Sequence, residues 1–297
     1  MAVDISTPFK SPGQSCLVSD LDLFSPAPLF EAISSTFFDE IHPICPLSET
    51  SQQINFVNEA CGYFIDLSGS FIRVTTSISM PDGTPLAANE DVGFIDYVVN
   101  SLFSNFDLQI NNQSVTSNYN TYNYYSYFQY FLATGLEARA SKLQASGCYP
   151  ELDKSCNTIG TVGPFKTRAG LTALGAKATF MGMIHHPIAN SIRVLPPMLA
   201  LSFVWTKATS AWVLKAKKAE AYKHKIHSMT LHLKKLKMTS DFQLSFEKQL
   251  SGSPCLLPIK QSYVKEVTIP SGVNSYSIES PFMSTMVPNL CVLVSIF

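Results

Sequence analysis

The chain has 297 residues, enough for one large domain or two domains of about 150 residues. Hydrophobic residues make up 46% of it and charged residues only 14%, against about 25% in an ordinary soluble domain, which excludes wholesale disorder, a coiled coil and a freely soluble helical bundle. The net charge is −1, so Ser, Thr, Asn, Gln and Tyr must supply most of the polar surface, as in β-rich proteins that neighbouring copies partly cover.

Charge is divided unevenly along the chain. Residues 1–150 carry 4 Lys and Arg against 15 Asp and Glu, whereas residues 151–297 carry 17 against 7. We therefore expect the halves to attract each other, or the opposite halves of neighbouring molecules. The alternative is two solvated faces of different charge.

The cysteines and the chain ends indicate an intracellular protein. The seven cysteines form no CxxC pair, and residues 1–10 lack the basic and apolar regions of a signal peptide. We expect free, mostly buried thiols in a reducing compartment, and no secretion. The apolar segment Ser280–Phe297 is interrupted by two prolines and is short for a bilayer span.

Residues 1–52 are predicted to form an extended arm. The segment is rich in prolines, which fix φ and lack a donor for a β-ladder. Its apolar side chains need a surface to pack on, which the chain's own domain or a neighbouring subunit would supply: Leu21, Leu23, Phe24, Leu29, Phe30, Phe37 and Phe38.

Strand patterns begin at residue 54. Alternation of β-branched and polar residues in Phe71–Ile78 predicts a strand with one buried face. Pro81-Asp82-Gly83 predicts the turn that ends it, because Pro presets φ and Gly accepts a positive φ. Asn111-Asn112 predicts a type I′ hairpin turn, since Asn tolerates left-handed backbone.

The remaining elements are predicted as follows. Residues 92–106 fit a helix or a strand, and the tyrosine-rich residues 118–132 predict a short helix laid on the sheet through its rings. Residues 146–175 predict a long surface loop. Further strands are expected at 177–184, 199–206, 211–214, 226–238 and 256–269, with a helix from a capping box at Ser240 to Leu250.

Many short strands with few helices predict an all-β fold of tandem sandwiches. The expected divisions are an extended arm at 1–52, a first sandwich at 53–214, a linker at 215–225 and a second sandwich at 226–297. The chain ends within the core-like run Leu290–Phe297, and only about 70 residues follow the linker, so the second sandwich is expected to be incomplete.

No catalytic or cofactor motif occurs. The sequence contains no GxSxG, HExxH, GxxxxGK[ST] or GxGxxG pattern, and its aspartates form no recognisable acid pair. His224, His227 and His232 do not all share one face of a strand, and the pair His185-His186 is expected to have a structural or surface role. We therefore expect no enzyme, no metal and no cofactor.

A lysine-rich segment at residues 207–237 is the strongest charge feature. It could contact nucleic-acid phosphates by releasing counterions, but it lacks arginine, so such binding would be non-specific. The alternative is a solvated linker and one polar strand face. The candidate contacts for nucleic acid or another subunit are Lys215, Lys217, Lys218, Lys234, Lys235 and Lys237.

An ordered set of short segments resembles one family, although no single motif is specific. From residue 19 to its end, the chain is similar to the hexon-like major capsid protein of Polinton/Maverick virus-like elements and adintoviruses, uncharacterised copies of which occur in invertebrate genomes. The matching residues are Ser19–Phe24, Tyr63–Ser68, Phe71–Val74, Asp82, Gly83, Asn100–Ser104, Asp107, Asn111, Tyr122, Tyr124, Tyr127, Leu132, Ile226, Leu231, Leu233–Lys235, Lys237, Ile269–Gly272, Ser277, Phe282 and Pro288.

The resemblance implies a double jelly roll, in which two eight-stranded sandwiches follow each other and three chains form a pseudo-hexagonal capsomer of an icosahedral shell. It implies copies of the chain (a homotrimer) and a minor (penton) capsid protein as partners, and a place in the virion. Family members continue beyond the point equivalent to Phe297, so this chain is expected to be truncated. A truncated, host-integrated relic that stays in the cytoplasm or nucleus is the alternative within the family.

Two hypotheses from other classes stay open. One is a host β-sandwich binding module similar to a lectin, which would be a ligand-binding monomer. The other is a nucleic-acid-binding protein that acts through residues 215–237, whose affinity would fall steeply with salt.

Overall fold

A computed structural model describes residues 32–87, 90–115, 120–149, 163–191, 193–216 and 222–257, together with Tyr263, Val264, Val267 and Ser277. The strands in these residues are β1 (Ile33–Ile41), β2 (Gln53–Asn58), β3 (Phe64–Ser79), β4 (Val92–Phe94), β5 (Phe103–Ile110), β6 (Gln113–Ser114), β7 (Ala178–Met183), β8 (Leu201–Lys207), β9 (Leu214–Ala216) and β10 (Lys223–Met238). The α-helices are α1 (Val98–Ser101), α2 (Tyr122–Ala133), α3 (Leu136–Ala140), α4 (Pro164–Leu171), α5 (Ser210–Val213) and α6 (Ser240–Gly252).

Eight of the strands form two four-stranded antiparallel sheets. The first sheet has the order β1-β10-β3-β7 and the second the order β2-β8-β5-β6, while β4 pairs with β9 beside them. Successive strands mostly alternate between the sheets, which is the jelly-roll arrangement of eight strands. The predicted all-β fold is therefore confirmed, and the described residues contain one complete roll.

Local sequence explains the strand faces and turns. Along β3, Ile72 and Val74 are fully buried, whereas Phe71, Arg73 and Thr75 are half-buried, as the alternation predicts. Gly83 has a φ of 87° and donates its N–H to the Met80 carbonyl at 2.9 Å, so the predicted turn is present. Asn111 and Asn112 have φ values of 49° and 65° and join β5 to β6 in the predicted hairpin.

The main core lies between the two sheets. The second sheet contributes a cluster of aromatic rings around Trp205, which lies 4.6 Å from Phe106 and 5.4 Å from Phe56 between ring centroids. The first sheet contributes aliphatic side chains, among them Ile72 and Leu231, which are 0% exposed. Burial of these faces holds the sandwich together.

Helices cover one open side of the sandwich and one end of the first sheet. The tyrosine-rich α2 packs on β5 through Tyr122 and Phe106, as predicted, and α1 lies between α2 and β7. Helix α6 rests on β3, where Phe242 and Phe246 contact the ring of Phe64.

The predicted domain boundaries are wrong at two strands. The segment 226–238, expected to begin a second sandwich, lies within β10 in the middle of the first sheet, between β1 and β3. Residues 33–41, expected to belong to the arm, form the edge strand of the same sheet. Local periodicity predicts that a strand exists, but it cannot identify a pairing partner about 150 residues away. The described part of the chain that follows β10 is a helix, α6, and residues 253–257, and most of the remaining residues of the expected second sandwich lie outside the described residues.

Several predictions for single elements also differ from the structure. Residues 211–214 are mostly the helical turn α5 and not a strand, and the segment 92–106 contains β4, α1 and the start of β5. Helix α6 begins at Ser240 as expected, but no side chain forms the predicted capping box at its N-terminus. The strand expected at 256–269 falls mostly outside the described residues.

Replacement of Phe56 tests the burial of the second sheet. Phe56→Ala is expected to lower the free energy of unfolding by about 3–5 kcal/mol, because it removes a ring that is 0% exposed from the aromatic cluster. Val57→Ala is the matched control, since Val57 is the next residue of β2 and is 42% exposed on the opposite face. Chemical denaturation measures both, and similar losses would contradict the assigned faces of β2.

Candidate functional site

The lysines singled out in the sequence do not form one patch in the described part of the chain. Lys215 lies on β9 opposite Gly93, whereas Lys234, Lys235 and Lys237 lie on β10. Lys234 donates to Asp66 Oδ2 at 2.8 Å, and Lys235 donates to Asp39 Oδ2 at 2.6 Å, so both ammonium groups are used within the roll. Lys237 is exposed beside Ser35. Lys217 and Lys218 lie outside the described residues.

The ion pairs join the acidic half of the chain to the basic half. Each pair between full charges in the described residues joins an acid from residues 1–150 to a base from residues 151–297. Two of these pairs tie β10 to its neighbours, because Asp39 lies on β1 and Asp66 on β3. The expected attraction between the halves is thus present within one chain. The four pairs are Asp39–Lys235, Glu49–Lys225, Asp66–Lys234 and Asp96–Arg168.

Asp66 illustrates how strongly the β10 lysines are held. Partial burial raises the pKa of Asp66, but hydrogen bonds from Lys234, Ser68 and the Gly69 N–H outweigh it, so the pKa lies below its usual value. The carboxylate is therefore ionised at neutral pH and holds the Lys234 ammonium in place. Lys234 and Lys235 are thus committed to the fold.

Four long connections leave the same end of the sandwich, because they follow β1, β3, β6 and β8, which all run in one direction. They span residues 42–52, 80–102, 115–177 and 208–222. Loops on a rigid scaffold carry most binding functions, so this loop end is the first place to seek a contact surface.

A buried polar group, which we term the loop cluster, joins two of these connections. It consists of Asp96 from the second connection and Tyr130, Cys148, Tyr149 and Arg168 from the third. Arg168 is 2% exposed, donates Nε to the Phe94 carbonyl at 3.0 Å and places Nη1 3.4 Å from Asp96 Oδ1. Tyr149 N–H donates to the same Asp96 oxygen at 3.2 Å.

The loop cluster is built for structure. Burial raises the pKa of Asp96, although the charge of Arg168 and the Tyr149 N–H oppose that shift. Burial also raises the pKa of Cys148 to about 12, so its thiol stays protonated and is a poor nucleophile. The aspartates showed no pairing pattern in the sequence, and the 72 residues between Asp96 and Arg168 explain why the pair was missed.

The two adjacent histidines contact the rings of Tyr97 and Phe106, and His186 is buried whereas His185 is half-buried. His185 Nε2 and the Tyr97 hydroxyl form a hydrogen bond, and His186 Nδ1 accepts the Ile188 N–H at 3.2 Å. Burial lowers the pKa of each to about 4, so both rings are neutral at pH 7. The predicted structural role of this pair agrees with these contacts.

The described residues form no candidate metal centre. They contain no group of three or more His, Cys, Asp or Glu side chains that could hold a metal ion. None of the described helices is long and apolar enough to cross a bilayer.

An exposed apolar patch lies where α2 ends and α3 begins. Phe131 is 48%, Leu132 67% and Leu136 58% exposed. The Arg139 guanidinium lies 4.6 Å from the Phe131 ring centroid and donates to the Phe131 carbonyl at 2.5 Å, which fixes the turn between the helices. A contiguous patch of this kind at a loop end is typical of an interaction surface.

Comparison with solved structures finds chains of similar fold. A chain of the 3.5 Å cryo-EM structure of the Sputnik virophage has a TM-score of 0.51 and 13% identity, over 81% of this chain and 54% of that one. The mavirus major capsid protein has a TM-score of 0.42 and 12% identity, over 80% of this chain and 53% of its own. The PBCV-1 virus capsid has 0.41 and 12%, over 75% and 47%.

At these identities the likeness concerns the fold alone. The chain spans about half the length of the solved chains that it matches. No protein-family description matches it, and neither does any curated protein sequence.

Stability is expected to fall as the pH drops from about 6.5 towards 4, because the unfolded state takes up protons on His185 and His186 that the buried rings refuse. His186→Gln should flatten this dependence, since Gln does not titrate. His42→Gln is the matched control, because His42 is exposed. Thermal unfolding between pH 7.5 and 4 measures the effect, and identical slopes in the two variants would contradict buried, neutral histidines.

Lys235→Met retains the aliphatic stem but removes the ammonium group paired with Asp39. We expect a loss of about 1–2 kcal/mol in the free energy of unfolding, because the Lys235 side chain is only 8% exposed. Lys237→Met on the same strand should change stability by less than about 0.5 kcal/mol. Urea denaturation measures the stability of both variants, and equal losses in the two would show that the Asp39–Lys235 pair does not stabilise the fold.

Proposed function

We propose that this chain is a structural, non-enzymatic capsid-like protein that associates with copies of itself, as trimers, to build an icosahedral virus-like shell. The observation that carries the proposal is the complete jelly roll with four long connections at one end, a fold that is similar to that of a chain in the Sputnik virophage structure. A place in the virion and a minor (penton) capsid protein as a further partner belong to the same proposal.

The chemistry of the roll supports a structural role. Three of the described groups that could act as an acid, a base or a nucleophile are engaged in packing: His185 and His186 are neutral, and the Cys148 thiol is protonated. Jelly rolls also occur in lectins and cupins, so the fold does not decide the function by itself. The low charge content of 14% favours a surface that copies of the chain cover.

In the domain organisation that we propose, β10 is the last strand of the first roll. The first roll spans residues 33–238, and a second roll would begin after α6, in the segment that follows Gly252. Helix α6 leaves Leu244 66% and Leu250 49% exposed, which suits a helix that joins two packed units. The assignment to Polinton/Maverick elements rests on the ordered motifs of the sequence.

Lateral contact between copies would use the apolar patch at Phe131, Leu132 and Leu136. It combines large exposed side chains with a helix turn that Arg139 fixes, so little conformational entropy is lost when a partner covers it. A second copy of this chain is the proposed partner.

The mass of the purified chain in solution tests the proposal. Light scattering after size exclusion should give three times the 32.7 kDa of one chain, and Leu132→Asp should reduce the trimer fraction. Val57→Asp, on the outward face of β2, is the matched control and should leave it unchanged, since Val57 is 42% exposed. A monomer at concentrations up to about 100 µM would contradict the proposal, since specific interfaces of standard size persist there.

The same preparation separates the other functional classes. A monomer that binds a glycan would favour the lectin-like module. Affinity for DNA that falls steeply between 50 and 200 mM salt, and that Lys237→Ala weakens, would favour nucleic-acid binding.

A further inference from the structure

The edge strand β1 is unusual in its exposure. The strand is nine residues long and pairs with β10 along its length, yet its first six residues, Ile33–Phe38, are all exposed. Phe37 is 38% and Phe38 51% exposed, and none of these six residues is charged. A long, uncharged edge with exposed aromatic rings is a template for a further strand, and proteins normally protect such edges.

The opposite edge of the same sheet is protected. On β7, the Ser146 hydroxyl donates to the Met181 carbonyl at 2.7 Å, and the Asn100 amide donates to the Met183 carbonyl at 3.2 Å. Within the described residues, the backbone of Ile33–Phe38 has no hydrogen bond outside its ladder with β10. As far as the described residues go, the sheet therefore has one covered edge and one open edge.

We propose that the open edge of β1 accepts Asp20–Phe24 of the same chain as a fifth strand of the first sheet. This segment alternates Asp20 and Asp22 with Leu21 and Leu23, the period of a strand with one polar and one apolar face. Addition of a strand to a free edge satisfies backbone groups on both partners.

Chain length and turn chemistry favour this occupant. The eight residues 25–32 connect the segment to β1, and they contain Pro26 and Pro28, which end a strand and favour a turn. A connection of this length closes an antiparallel hairpin at a high effective concentration, so the chain's own segment outcompetes that of another molecule.

Charge complementarity favours the same arrangement. In a hairpin that places Phe24 opposite Ile33, Asp22 lies opposite Ser35, and Ser35 is the partner of Lys237 on β10. Side chains of paired residues share a face, so Asp22 and the exposed Lys237 lie on one face with only Ser35 between them. Leu21 and Leu23 then lie on the face of Phe38.

Residue-resolved amide hydrogen exchange on the full chain tests this proposal. In the unaltered protein, all amides of Ile33–Phe38 should be protected, including the alternate ones that face away from β10. In Leu21→Asp/Leu23→Asp, those alternate amides should exchange about tenfold faster or more. Ile5→Asp/Phe9→Asp carries the same added charge elsewhere in the arm and should exchange like the unaltered protein.

Reversal of the charges of Asp22 and Lys237 tests the register of the proposed hairpin. Lys237→Glu and Asp22→Lys should each speed exchange of the alternate amides about two- to fivefold, and the combined variant should restore slow exchange. Equal exchange in the arm variants and the unaltered protein would overturn the proposal. Protection that rises with protein concentration would also overturn it, because the strand would then come from another molecule.

Discussion

Everything in this roll depends on β10 lying between β1 and β3. The strand closes a sheet whose other members come from the first 80 residues and from residues 178–183, so it joins distant parts of the chain by two hydrogen-bonded ladders. Its inward side chains, such as Met229, Leu231 and Leu233, are at most 2% exposed and complete the first sheet's share of the core. Without β10, β1 would have no partner among the described strands.

The electrostatics of the chain follow from that insertion. A lysine-rich strand enters a sheet built from an acidic half of the sequence, so Lys234 and Lys235 meet Asp66 and Asp39. At the loop end, Asp96 and Arg168 repeat the pattern in a buried setting. Charge of opposite sign in the two halves is therefore used within the molecule, and a low net charge leaves the remaining surface available to neighbours. The apolar side chains exposed at the loop end are the surface for which we propose contact with copies of the chain.

The sequence predicted local features well because they depend on neighbouring residues. Alternation in Phe71–Ile78, the turn at Gly83, the Asn111-Asn112 hairpin and the tyrosine-rich helix all have signals within a few residues. It failed where distant residues decide the outcome. The strand at 226–238 has the same period whether it pairs with β3 or with a later strand, so periodicity alone does not assign it to the first sheet. The Asp96–Arg168 pair and the open edge of β1 have no local signal, because they exist only after the sheets form.

The position of β10 can be measured directly by amide–amide nuclear Overhauser effects in a deuterated sample. The account predicts contacts from Lys234–Leu236 to Phe64–Asp66 on one side and to Thr36–Phe38 on the other. Contacts from these β10 amides only to residues beyond Gly252 would contradict it, because β10 would then belong to a different sheet.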